Sequence, residues 1–252
     1  MRIRIAAGLL ALVSFAGCGV GSSSPTPVTV LMVDVSGSTK GLIKDFGPTI
    51  KDAIVKTAEK KGQLWAASGD RAILANSSWT IDGTRFKADD VGPALQADDL
   101  RVKGRKLAAS PQAAALLKWP GRQGSDLLGM LQLAADVTSA HPDSPRSLVF
   151  LTDGGIHANG IDLIGRPPTT QAARTALIES LGSNGLIKKN SLGGTTSHPV
   201  NVYLCGVGRG AIGADGQNAQ FVRDFWTDLI AEVGGTIKVM APSCSNLEGL
   251  AG

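Results

Sequence analysis

Val28-Thr-Val-Leu-Met-Val-Asp34-Val-Ser36-Gly-Ser38 decides how this chain reads. Its apolar, β-branched opening predicts a strand buried on both faces. Three small oxygen donors follow at every second position, Asp34, Ser36 and Ser38, with Gly37 to turn the backbone. A carboxylate and hydroxyls gathered beyond one strand end form the kind of hard oxygen cluster that suits Mg²⁺, Mn²⁺ or Ca²⁺, and the donor set alone does not separate the three.

Two further segments extend the cluster. Ser147-Leu-Val-Phe-Leu-Thr-Asp153-Gly-Gly is a second apolar run ending in a carboxylate. Gly124-Ser125-Asp126-Leu places a hydroxyl at the expected start of a helix. In an open parallel α/β sheet, ligands bind at the carboxyl ends of the strands, so Asp34, Ser36, Ser38, Ser125 and Asp153 are expected to converge there.

This pattern resembles the von Willebrand factor type A (VWA) family with its metal-ion-dependent adhesion site, whose motif is Asp-x-Ser-x-Ser, a distant Thr and a later Asp within Thr-Asp-Gly. Asp34, Ser36, Ser38 and Asp153 match position by position, and Ser125 stands where the family has threonine. The resemblance runs from about residue 27 to 242. It implies a divalent cation held by these five residues, and a partner protein engaged through a carboxylate that completes the metal's ligands. It also implies a doubly wound, mostly parallel sheet with helices on both faces and an antiparallel edge strand, and a binding protein rather than an enzyme.

The first residues read as a targeting signal. Arg2 and Arg4 precede an apolar stretch, Ile5 to Phe15, too short for an ordinary transmembrane helix, and then Ala16-Gly17-Cys18. That ending resembles a bacterial lipobox, which implies residues 1–17 as a lipoprotein signal peptide and Cys18 as a lipidated N-terminus. Residues 18–27, rich in Gly, Ser and Pro, are expected to tether a domain over 28–243, followed by a tail over 244–252. The expected location is the cell envelope, outside the cytoplasm and anchored to a membrane by lipid. Loss of Arg2 and Arg4 reduces the formal charge from +4 to +2, and the basic residues are dispersed, which argues against nucleic acid as a partner.

With Cys18 consumed by lipid, Cys205 and Cys244 remain in an oxidising compartment. Each follows or ends an expected strand, Val200–Cys205 and Thr236–Met240, and neighbouring strands would bring them together in a disulfide. Two free buried thiols are the alternative.

Between these landmarks, Ile43, Phe46, Ile50, Ile54 and Ala58 share one face of a helix expected over 41–61 and ended by Gly62. Residues 64–68 and 78–81 are expected to pair as an edge hairpin. Residues 82–122 read as helical pieces over 91–100 and 111–118, divided by Lys103-Gly-Arg-Lys106 and approaching the metal face. Leu127, Leu128, Leu131, Ala134 and Val137 mark the next helix. Residues 172–181 and 221–233 mark two more, the last with Phe221, Phe225, Leu229 and Val233 on one face. Strands alternating with helices in this way indicate a doubly wound sheet.

Two other readings remain open. Asp34 also suits the nucleophile of a metal-dependent phosphohydrolase resembling the haloacid-dehalogenase phosphatases, although Ser36 stands where their general acid would be. Alternatively, the serines and aspartates cap turns and helices in a metal-free structural envelope module. His141, His157 and His198 lack zinc-site spacing, although His157 follows the Asp153 turn and could sit on the metal face. Gly206-Val-Gly-Arg-Gly-Ala-Ile-Gly213 departs from the Gly-x-Gly-x-x-Gly spacing of a dinucleotide loop, and is expected to border the binding surface. Of the four tryptophans, Trp119 is the one expected near a partner.

Overall fold

The computed structural model describes residues 24–69, 78–119, 126–158, 160–213, 216–244 and 247–250. Cys18, Asp70 and Ser125 lie outside these residues. Strand β1, Val28–Asp34, is followed by helix α1, Ile43–Glu59, strand β2, Gln63–Gly69, and strand β3, Ile81–Arg85. Helices α2, Pro93–Ala108, α3, Pro111–Ala115, and α4, Leu127–Ser139, lead to strand β4, Arg146–Leu151. A small hairpin of β5, His157–Ala158, and β6, Ile161–Asp162, precedes α5, Gln171–Ser183, and β7, Val200–Cys205. A short α6, Gly210–Gly213, then α7, Gly216–Glu232, and β8, Gly235–Ala241, complete the order.

Six strands form one sheet in the order β3-β2-β1-β4-β7-β8, parallel throughout except for the antiparallel edge strand β3. Helices cover both faces, and the arrangement is the Rossmann-like α/β sheet that the alternation of elements implied. Side chains alternate along β1: Val28, Val30 and Met32 pack with α4, α5 and α7, while Leu31 and Val33 pack with α1 and with Leu100, Ala113 and Leu116. Because β1 lies between β2 and β4, all seven of its residues are buried.

Helix α1 buries the expected face, Ile43, Phe46, Ile50, Ile54 and Ala58. Lys61 takes the left-handed turn after it (φ 55°), and Gly62 is small because a Cβ there would lie 3.0 Å from Thr57 O. Three sequence expectations need correction. Lys103–Lys106 does not divide two helices but lies inside α2, because Gly104 seats α2 on α1: a Cβ would stand 2.9 Å from Ala58 Cβ. Strand β3 starts at Ile81 rather than Ser78, and Gly83 (φ 55°) lies within it against the Trp65 ring. On α7 the buried stripe is Val222, Phe225, Trp226, Leu229 and Ile230, while Phe221 is only half-buried.

Cys205 and Cys244 form a disulfide, with Cα atoms 5.4 Å apart. Beyond it Leu247 and Leu250 are buried among the α1-side residues, and the Tyr203 hydroxyl donates to Glu248 O at 3.1 Å. At the sheet's two edges, β8 exposes Thr236 and Lys238 and β3 exposes Asp82 and Arg85. Among the described residues, no helix is long and apolar enough to cross a membrane.

Candidate metal centre

Asp34 is the last residue of β1, paired with Gly69 of β2, and Asp153 lies just beyond the end of β4, the strand on its other side. Both are fully buried, as are Thr39 and Thr152, and Ser36 is almost so. The turn after β1 is wound tightly on itself. Ser36 N donates to Asp34 Oδ1 at 3.0 Å, and the Thr39 hydroxyl reaches back to Asp34 O at 2.9 Å and Ser36 O at 3.1 Å. The Ser36 and Ser38 hydroxyls lie 3.1 Å apart and hydrogen-bond to one another. Ordinary capping needs no such pairing.

The β4 turn is held from behind. Trp226 Nε1 donates to Gly154 O at 2.9 Å, and Gly208 N donates to Asp153 O at 3.0 Å. Gly154 (φ 85°) needs glycine twice over, since a Cβ would also meet Val222, Trp226 and Val207 at 3.0–3.1 Å. Gly155 N donates to Asp153 Oδ1 at 2.9 Å. Asp153 Oδ2 is buried with no hydrogen-bond partner, and a Cβ on Gly210 would stand 3.3 Å from it. The glycine-rich segment after β7 thus closes against Asp153 and forms one wall of the site.

Electrostatically, the site is a strained pair of acids. Burial first, and the neighbouring Asp153 charge second, push the Asp34 carboxyl from 3.8 up to about 7. Burial also raises the Asp153 carboxyl, and hydrogen bonding from Gly155 N and then from the Ser38 side chain offsets this only in part. Asp153 pairs with no cation among the described residues. Buried charge ordinarily finds a partner or neutralises, so an orphaned, dry carboxylate oxygen beside converging hydroxyls fits a hard cation.

Asp34, Ser36, Ser38 and Asp153 therefore come together beyond the ends of β1 and β4. Ser125 lies outside the described residues, but Asp126 beside it caps α4 by accepting from Gly129 N at 2.9 Å. Sequence reasoning did not single out Thr39, Thr152 or Trp226, which hold the two acid-bearing turns in place. Thr152 carried the only signal, its place beside Asp153. On the rim, Lys40 lies 4.1 Å above the Trp119 ring, whose Nε1 is buried without a partner, and Arg209 pairs with Asp45 at 2.7 Å. His157 is exposed on its hairpin, 3.4 Å from Asp162.

No family model matches this chain, and neither does any curated protein. Solved structures resemble it distantly. Proximal thread matrix protein 1 of the mussel byssus is 13% identical with a TM-score of 0.42, the match covering 90% of this chain and 46% of that one. This chain thus spans less than half the mussel protein's length. An aerotolerance-related membrane protein from Bacteroides fragilis is 14% identical with a TM-score of 0.42, covering 87% of this chain and 93% of that one. The pilus adhesin SpaC of Lactobacillus rhamnosus GG is 13% identical with a TM-score of 0.42, covering 87% and 28%.

Proposed function

We propose that this protein binds one divalent cation, Mg²⁺ or a close substitute such as Mn²⁺ or Ca²⁺, and through it engages a protein partner, in the manner of the VWA family. Asp34, Ser36, Ser38, Ser125 and Asp153 would hold the ion, some of them through water. A bound cation would supply neutralisation of the two acids and an open ligand position for a partner's carboxylate. The observation that carries this reading is the buried, unpartnered Oδ2 of Asp153 next to the paired hydroxyls of Ser36 and Ser38.

We read the protein as a binding module rather than an enzyme. Ser36 offers no general acid two positions after Asp34, and its hydroxyl is turned to Ser38. Lipidation of Cys18 would anchor the domain in the envelope, outside the cytoplasm. Titration calorimetry of Mg²⁺ and Mn²⁺ into the metal-stripped protein tests the central claim. Saturable one-site binding, lost in folded Asp34→Ala and Ser125→Ala variants, is the expected result. Heat equal to that of dilution for the folded wild type would remove the metal site.

A further inference from the structure

The end of the sheet opposite the candidate metal centre carries a second feature. The register places Val28, Gln63 and Arg85 in one row across β1, β2 and β3, while Asp34 and Gly69 form the row at the other end. The two rows are six residue steps apart along β1, about 20 Å at strand rise. Beside the lower row lies a groove of about 620 Å³. Lys60, Lys61, Arg85 and Lys87 line it, with Pro27 and Pro145 at its base, and all four cations are exposed.

These charges are available to an outside partner. Arg85 spends one guanidinium hydrogen on the Thr26 hydroxyl at 2.8 Å, and Lys61 reaches the neutral Gln96 side chain at 3.0 Å. None of the four pairs with a carboxylate among the described residues. Two acids close in sequence are engaged elsewhere, Glu59 with Arg101 at 2.7 Å and Asp89 with Lys103 at 2.6 Å.

The approach of the chain identifies what this surface meets. Ser24 to Pro27 form part of the groove, so the polypeptide enters the domain through it. Five residues lie between Cys18 and Ser24, a span of at most about 20 Å when extended. A lipid on Cys18 would therefore hold this groove within reach of the bilayer.

We propose that the Lys60, Lys61, Arg85 and Lys87 groove docks onto the anionic headgroups of the membrane that holds the N-terminal lipid. Docking fixes the domain upright, with the metal cleft turned away from the bilayer toward a partner. The proposal rests on the reading of Cys18 as the lipid anchor. Clusters of four or more basic residues next to an anchor gain from a negatively charged leaflet and lose that gain in salt.

The test is an amine-labelling footprint of the full chain, expressed in a bacterium and purified from its membranes, after mass spectrometry has determined whether Cys18 carries lipid. The protein is mixed with vesicles of phosphatidylcholine alone or with one-quarter phosphatidylglycerol, at millimolar lipid. On the anionic vesicles Lys60, Lys61 and Lys87 should label at least about fivefold more slowly, with Lys44 at the opposite end unchanged, and 0.5 M salt should abolish the difference. Arg85→Glu should weaken the protection of Lys60 and Lys61. Equal labelling on both vesicles overturns the docking surface even if Cys18 is lipidated. Protection of the three lysines in a chain without lipid keeps the surface and removes only the anchor.

Discussion

The hydroxyl of Thr152 donates to Asp34 Oδ2 at 2.9 Å while accepting from Gly154 N at 2.9 Å, so one side chain joins residues 118 positions apart to the turn that carries Asp153. Thr152→Val keeps the shape and leaves a carboxylate oxygen and an amide without that partner. About 2 kcal/mol of stability should be lost. Affinity for Mg²⁺ should fall about tenfold, as for a group that orients ligands. Urea denaturation and calorimetry read the two effects, and Thr152→Ser should restore most of both.

Asp153→Asn separates stability from binding. The substitution removes a buried charge and with it the second cause of the raised Asp34 pKa. In chelator at pH 8 the variant should be more stable than wild type by about 1 kcal/mol, while Mg²⁺ should no longer stabilise it. A variant less stable than wild type in chelator would show that the two charges are not in conflict.

The metal-free protein should lose stability as pH rises. Asp34 has a folded pKa of about 7, above its ordinary 3.8, so the folded state holds the proton more tightly. Its favourable contribution is complete below about pH 4, declines through the interval from 4 to 7 and is gone above it. The swing is on the order of 4 kcal/mol. It should appear as the difference between wild type and Asp34→Asn in chelator, which removes the common effect of other carboxylates.

Removal of the Cys205–Cys244 bridge opens a loop of 39 residues. Replacing both cysteines with serine should cost about 4 kcal/mol by loop entropy, with denaturant midpoints as the measure. Thr49 Oγ1 bonds to Cys244 O at 2.9 Å, so the segment beyond the bridge should become more sensitive to protease before the sheet opens.

How far the sequence discloses this molecule depends on the distance over which each signal acts. The ends of β1 and β4 were legible because apolar runs and a following acid are contiguous. The disulfide was legible as one of two possibilities, because Cys205 and Cys244 each end or follow an expected strand, and the structure decides for the bridge. The inner supports of the site were not legible: Thr152 matters to Asp34 only through the register of two strands, and Trp226 only because α7 lies behind the Gly154 turn. Gly104 was misread for the opposite reason. Its low helix propensity suggests a break, whereas close approach of α2 to α1 requires a residue without a side chain. Gly104→Ala should therefore destabilise the protein by about 1–2 kcal/mol, despite alanine's better helix propensity. A rise in melting temperature would contradict that view of the helix contact.

Both rims of the six-stranded sheet end in charge, Lys238 on β8 and Asp82 with Arg85 on β3. A lateral encounter between two copies would have to dehydrate those groups before a single main-chain bond could form across the seam. Proteins crowded side by side on a surface meet in this way far more often than proteins free in solution. The outermost strands thus favour a population of separate domains over a growing ribbon.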